Sequence, residues 1–310
     1  LVGGNFRSVG GEERKGLARF LPAGGLDLQF SPLTGTADGA VIAITPLING
    51  QILVGGTFSR FGSSTARGLV RLNASGSADT SFSVGSGVNG IVADILIYTN
   101  SSSSNFGKIL LGGAFTTYNG APVNNLVRLN SNGTIDSTFN PGTGPDGPVF
   151  DIALQTDGKI VIGGVFPTYD GTDHANLARL GVDGSLDTSF TNTLSVLVSS
   201  VAVDGLGGVL VGGNFTLSGS AGLPPVAGAT NTPLPGVTVN RIARFNSDGS
   251  LDLGYASAGN GANDIVNAVL IQSDDRFVFG GAFTIVNGQI KNRIARYNGT
   301  SAGRTGTFLA

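Results

Sequence analysis

The sequence predicts an all-β protein, a six-bladed β-propeller of four-stranded antiparallel blades. Three observations predict it. An apolar run ending in Gly-Gly-x-Phe occurs six times, and an arginine signature follows it at a fixed distance. The intervening segments are punctuated by Asn-Gly and Asp-Gly, which favour the tight turns of antiparallel neighbours. No window shows the 3.6-residue periodicity of a capped helix.

The first signature ends at Phe6, Phe58, Phe115, Phe166, Phe215 and Phe283. The second, Leu/Ile-Ala/Val-Arg-Leu/Phe/Tyr, places its arginine at Arg19, Arg71, Arg128, Arg179, Arg244 and Arg296. The spacing from phenylalanine to arginine is 13 in five copies and 29 in the fifth. Eight residues beyond the arginine stands Asp27, Asp79, Asp136, Asp187 or Asp252, and three further on Phe30, Phe82, Phe139, Phe190 or Tyr255. The repeats begin near residues 1, 51, 108, 159, 208 and 276, within a single domain spanning 1–310.

In the third copy the four strands read as Ile109-Leu110-Leu111, Asn125 to Leu129, Thr134 to Phe139, and Val149 to Leu154. Asp157-Gly158 then turns back into the next copy. Runs such as Ile160-Val161-Ile162 lack polar alternation because both faces of a blade pack on neighbours. The last-strand signature has only five copies, near Val41–Ile44, Ile91–Ile97, Val149–Leu154, Leu197–Val203 and Ile265–Ile271. The expected closure therefore packs a strand near Thr305–Leu309 against Leu1–Gly4, giving about 23 of 24 strands within the chain.

Leu-Val-Gly-Gly-x-Phe, Leu-Ala-Arg-Leu and Asp-Gly-Ser-Leu-Asp-x-Ser-Phe together resemble the delta-60 repeat of large bacterial surface and secreted proteins, most closely over residues 109–190. The double glycine after an apolar strand is also similar to kelch repeats, without their Tyr and Trp. The resemblance implies export and a modular role outside the cell, and names no single biochemical activity.

Composition narrows the function classes. Lys+Arg at 18 and Asp+Glu at 20 nearly cancel, so no long-range field recruits nucleic acid or an anionic membrane. No apolar run reaches the 18 or more residues of a transmembrane helix. Cysteine is absent, which removes disulfides, thiolate nucleophiles and zinc-thiolate sites. Residue 1 falls inside a motif, so a signal segment is expected upstream of it and the chain is expected outside the cell or on its surface.

Most acids fall at repeat positions or in turns. Gly-Gly-x-Phe ends a strand and lacks the helix N-terminus or lysine of a phosphate loop. The pairs Arg19/Asp27, Arg71/Asp79, Arg128/Asp136, Arg179/Asp187 and Arg244/Asp252 flank a hairpin turn and read as repeated structural ion pairs, with an anion-binding row of arginines as the alternative. Turns such as Asp183-Gly184-Ser185 resemble part of a calcium loop but lack its distal glutamate, so no cofactor is expected and calcium is the lesser reading. His174 is the only histidine, in a segment Asp170–His174 that reads as a surface loop. One histidine and no cysteine point away from an enzyme.

Single-copy departures are where function separates from framework. The fifth repeat carries 16 extra residues between Leu217 and Asn240, including Pro224, Pro225, Asn231, Pro233 and Pro235. Proline pre-stiffens such a loop and lowers the entropy lost on binding, which makes it the candidate partner-binding loop. A serine-rich segment, Thr99 to Gly107, is the second departure. The expected function is a structural or adhesive module that associates with a protein, a glycan or itself. The alternative is a lectin-like carbohydrate-binding propeller, which the absence of Trp and the presence of only 5 Tyr disfavour.

Overall fold

The computed structural model describes residues 1–30, 37–62, 65, 67–192, 194, 196–218, 238–256 and 261–297. The described residues are all-β apart from one helical turn, Leu253–Ala256. Contacts divide the chain into two compact units, Leu1–Phe139 with Thr143–Val149, and Asn140–Gly142 with Phe150–Ala310.

In the first unit, Val2–Gly3 pairs with Leu17–Ala18. A second sheet runs Val41–Pro46, Ile52–Gly56, Leu69–Leu72, and a third runs Ile91–Ile97, Ile109–Ala114, Leu126–Leu129. The second unit repeats the arrangement. Its sheets are Val149–Leu154 with Ile160–Gly164 and Leu177–Leu180, Val198–Val203 with Val209–Ser218 and Thr238–Phe245, and Val266–Ile271 with Phe277–Gly281 and Ile294–Tyr297. Each three-stranded sheet straddles a repeat boundary. It opens with the last apolar strand of one copy and continues with the Gly-Gly and arginine strands of the next.

The third strand expected over Thr134–Phe139 shrinks to a single bridge, Leu129↔Ile135. The cause is local. Asp136 Oδ1 accepts the Thr138 amide at 3.1 Å, folding the chain into an Asx turn that leaves those amides unavailable to a ladder. The same bond recurs at Asp27, Asp79, Asp187 and Asp252.

Four two-stranded hairpins that the repeat signatures do not reveal lie between the Gly-Gly and arginine strands: Ser8–Val9 with Glu12–Glu13, Thr117–Tyr118 with Ala121–Pro122, Thr168–Tyr169 with Thr172–Asp173, and Ile285–Val286 with Gln289–Ile290. Their two-residue turns are Gly10-Gly11, Asn119-Gly120, Asp170-Gly171 and Asn287-Gly288, with both residues of each at positive φ. That is the type I′ geometry favoured by the right-handed twist of a hairpin. Asp170–His174 is therefore part of a hairpin and its exit, not the surface loop expected.

The double glycine has two separate jobs. A Cβ on the first of the pair would stand under 3 Å from β-branched side chains of the following sheet: Val41 and Ile44 above Gly3, Val92 and Ile95 above Gly55, Val198 and Val201 above Gly163, Val266 and Val269 above Gly212. A Cβ on the second, at Gly56, Gly113, Gly213 or Gly281, would strike a carbonyl oxygen of the neighbouring strand. Register shifts at Val41/Ala43, Val92/Asp94, Val198/Ser200 and Val266/Ala268 mark β-bulges at equivalent places in four opening strands. Behind the glycines, Phe58, Phe115, Phe166, Phe215 and Phe283 are buried, while Phe6 is half-buried. The strand near Thr305–Leu309, and with it the expected closure, lies outside the described residues.

Candidate functional site

The repeated polar residues form one unit copied along the chain. The Asp27 amide donates to the Arg19 carbonyl at 2.9 Å, which sets the two side chains on one rung. Arg19 Nε then donates to Asp27 Oδ2 at 2.8 Å, Arg71 to Asp79 at 2.7 Å, Arg128 to Asp136 at 2.7 Å and Arg179 to Asp187 at 2.8 Å. Each guanidinium also lies over the aromatic three residues past its aspartate, with 4.5 Å to the ring of Phe30, 4.5 Å to Phe82, 4.7 Å to Phe139 and 4.8 Å to Phe190.

A third contact leaves the repeat. Arg19 Nη1 donates to the Ala74 carbonyl and Arg71 Nη1 to the Ser131 carbonyl, both at 2.6 Å, and Arg179 Nη1 donates to the Ser247 carbonyl. Each acceptor lies in the turn after the arginine strand of the next copy. One side chain thus closes its own turn, covers its own aromatic ring and ties down the next repeat. Arginine suits this because its planar fork carries five donors and cannot deprotonate.

The carboxylates collect further donors. Lys108 Nζ reaches Asp136 and Lys159 Nζ reaches Asp187, both at 2.9 Å, while Gln51 donates to Asp79 at 2.7 Å. In the fifth repeat Gly208 stands where those long side chains stand, and a Cβ there would meet the Arg244 guanidinium. Arg244 accordingly bridges two carboxylates, Asp204 and Asp252, each at 2.5 Å.

Burial raises the Asp79 carboxyl, but bonds from Ser81 and Arg71 outweigh it and bring the pKa down to about 2. Asp136 and Asp187 are shifted further in the same direction. Burial again opposes the shift, and Lys108 with Thr138 at the first, and Ser189 with Lys159 at the second, overcome it. A carboxylate with a depressed folded-state pKa adds stability above its unfolded value near 4, and that stability is lost as pH falls through the folded value. Thermal melts between pH 7 and pH 2 should therefore hold a steady midpoint down to about pH 4 and drop steeply below it. A midpoint already falling between pH 7 and pH 5 would be the wrong result.

Other residues singled out by sequence fare differently. His174 is 9% exposed, burial pulls its pKa down, and its Nδ1 has no partner among the described residues. Val123 and Val239 fill the equivalent position in the third and fifth repeats. The turn carboxylates of Asp183 and Asp248 accept, through Oδ1, the amides and hydroxyls of Ser185 and Ser250. No group of three His, Cys, Asp or Glu among the described residues is placed to hold a metal. No helix among them is long and apolar enough to cross a membrane.

The two single-copy segments sit at strand ends. The segment after Tyr98 folds back on itself, with the Gly107 amide on the Tyr98 carbonyl at 2.9 Å and Phe106 exposed. In the fifth repeat the small hairpin is replaced by an extended ribbon. Thr216↔Asn240, Leu217↔Val239 and Ser218↔Thr238 continue the ladder outward past a bulge. Leu217 and Asn240 thus form the root of the insertion. Pro224, Pro225, Asn231, Pro233 and Pro235 lie outside the described residues.

Against this geometry, the family model described as "Domain of unknown function (DUF5122) beta-propeller" matches residues 1–30, 49–82, 107–139, 155–190, 226–265 and 272–301. The chain belongs to this DUF5122 beta-propeller family. The six matched segments each hold one arginine signature, and four of them hold the full arginine, aspartate and aromatic unit described above. No curated protein matches the chain in sequence.

Among solved structures, the extracellular domain of BT4673 from B. thetaiotaomicron, described as a hybrid two component system, is similar at 13% identity and a TM-score of 0.51. The match covers 95% of this chain and 33% of that one, so the DUF5122 chain spans about a third of its length. A gluconolactonase, XC5397 from Xanthomonas campestris, is similar at 14% identity and a TM-score of 0.42, covering 77% of this chain and 68% of that one. Virginiamycin B lyase from Staphylococcus aureus is similar at 16% identity and a TM-score of 0.48, covering 90% and 72%. At these identities the likeness speaks for fold alone. It nonetheless corrects one expectation: a shortage of histidine and cysteine does not mark this chain as a non-enzyme, because chains of similar fold include enzymes.

Proposed function

We propose that this DUF5122 chain is an extracellular structural and adhesion module of the delta-60 kind, which associates with a protein, a glycan or itself through the insertion of its fifth repeat. One observation carries the reading. The repeated arginines and aspartates are engaged with each other and with neighbouring turns, whereas the paired ribbon Thr216–Ser218 and Thr238–Asn240 brackets a proline-rich segment that occurs in one repeat alone. Loops on a rigid scaffold are the usual seat of recognition. The extracellular setting is supported by the likeness to the extracellular domain of BT4673.

The geometry favours this reading over a lectin-like propeller. A sugar pocket stacks its ligand on an accessible aromatic ring, and all five tyrosines, Tyr98, Tyr118, Tyr169, Tyr255 and Tyr297, are buried, which leaves Phe20 and Phe106 as the exposed rings among the described residues.

The test replaces residues 219–237 by two glycines. Far-UV circular dichroism and the thermal midpoint should stay near the parent's, because the ladder that roots the insertion closes on itself. Adhesion of bead-coupled chain to surfaces coated with extracellular-matrix protein, with mixed glycans or with the chain itself should fall at least about tenfold, equivalent to the loss of a single hot spot. Undiminished adhesion by the shortened chain would overturn the assignment.

A further inference from the structure

A left-handed backbone position recurs three residues before each repeat arginine, and its occupant changes along the chain. Gly16, Gly68, Asn125 and Asn176 hold it in the first four repeats, at φ of 82, 69, 58 and 66°. Arg241 and Arg293 hold it in the last two, at 67 and 69°. Glycine and asparagine enter this region readily, whereas arginine does so at a cost in free energy. Asparagine also serves the framework there. Oδ1 of Asn125 accepts the Phe115 amide at 3.2 Å, and Oδ1 of Asn176 accepts the Phe166 amide at 2.9 Å. A guanidinium has no acceptor, so Arg241 gives up that bond. Its Nη1 donates instead to the Phe215 carbonyl at 2.9 Å and to Thr216 Oγ1 at 2.8 Å, while its Nε is buried with no partner among the described residues. A residue that strains the backbone and departs from its sister repeats points to work outside the framework.

The surroundings of Arg241 indicate the ligand. Asn240 pairs with Thr216 across the ribbon, and Thr216 Oγ1 donates to Asn240 Oδ1 at 2.8 Å. Alternation turns Val239 inward, at 2% exposure, and leaves Thr216 exposed. One outward face thus carries a hydroxyl, an amide and a guanidinium anchored through Nη1, with Nη2 left for a carboxylate.

We propose that this face binds an acidic polysaccharide, with a uronate carboxylate on Arg241 and sugar hydroxyls on Thr216 and Asn240. The inference rests on the fifth repeat being where the chain associates, and it names the partner there. One cation among hydroxyl and amide groups matches a polymer with one carboxylate and several hydroxyls per unit. An acidic peptide, with its denser charge, matches it less well. Recognition goes through charge and hydrogen bonds rather than through stacking on a ring.

Binding of the whole chain to immobilised polygalacturonate, read by biolayer interferometry, should saturate, and uncharged dextran should not bind. Arg241→Asn installs the residue of the third and fourth repeats. It should weaken polygalacturonate binding at least about tenfold, the loss of one charged anchor. Its thermal midpoint should equal or exceed the parent's, because the strain is relieved and an acceptor for the Phe215 amide returns. Arg241→Gly, the residue of the first two repeats, carries the same expectation. Absent binding, or equal binding by parent and both variants, overturns the proposal. So does a lowered midpoint in both variants, which makes the arginine part of the framework. Equal or tighter binding to polyglutamate assigns the face to an acidic peptide and overturns it too. If the chain shortened at 219–237 loses adhesion while Arg241→Asn binds polygalacturonate as the parent does, the insertion remains the seat of association and this inference alone falls. Loss in neither removes both.

Discussion

Asp136→Ala should lower the free energy of unfolding by about 3–5 kcal/mol, the range found when one member of a buried ion pair is removed. The carboxylate holds Arg128, of which 2% is exposed, together with Lys108 and the amide and hydroxyl of Thr138. Its loss leaves a buried guanidinium without its carboxylate and opens the Asx turn at once. The first repeat provides the contrast, because the Arg19 side chain there is 31% exposed and water can replace the carboxylate. Asp27→Ala should therefore cost clearly less, as removal of a surface pair does. Urea unfolding of the two variants checks the order, and equal losses would show that burial does not set the strength of the pair.

Phe166→Ala should cost a comparable amount, about 3–5 kcal/mol, through lost burial and the cavity left behind. The ring is 0% exposed, and the Phe166 amide and carbonyl both bond to Asn176, so the backbone is held while the ring is removed. A site fixed in this way collapses poorly around a void. Phe6 occupies the same place in the first repeat but is half-buried, and Phe6→Ala should cost clearly less. Chemical denaturation of both variants gives the comparison. A Phe166→Ala chain within about 1 kcal/mol of the parent would contradict the packing described.

The repeat was legible in the sequence because its physics is local and copied. An apolar run before two glycines states both the buried strand and the absence of Cβ, and the structure shows what each glycine avoids. The strands near Val41, Ile91, Val149, Leu197 and Ile265 were readable for the same reason. The third strand was misread because Thr134 to Phe139 alternates like a strand, while Asp136 diverts its backbone into a turn through a side-chain bond that alternation does not encode. The small hairpins were missed although Asn119-Gly120, Asp170-Gly171 and Asn287-Gly288 announce type I′ turns, because their two-residue strands carry no apolar pattern.

For the candidate site, the eight-residue spacing of arginine and aspartate placed the pair on one hairpin. It could not show the third contact, from Arg19 to Ala74 or Arg71 to Ser131, because a carbonyl acceptor has no sequence signature. The base of the insertion was visible as added length alone. That the ladder continues through Thr216 and Asn240 before the chain departs depends on pairing across the insertion, which no local pattern reveals.

The central claim is that the arginine row belongs to the framework and is not a ligand-binding surface. A double-mutant cycle on Arg179 and Asp187, followed by urea unfolding of the two single variants and the double, measures it most directly. The Arg179 and Asp187 side chains are 6% and 13% exposed and 2.8 Å apart. Residues in one network couple by about 0.5–3 kcal/mol, and the clamp predicts a value in the upper half of that range. A coupling within about 0.3 kcal/mol of zero would show the pair to be energetically idle, and would return the arginines to the reading in which they await an anion.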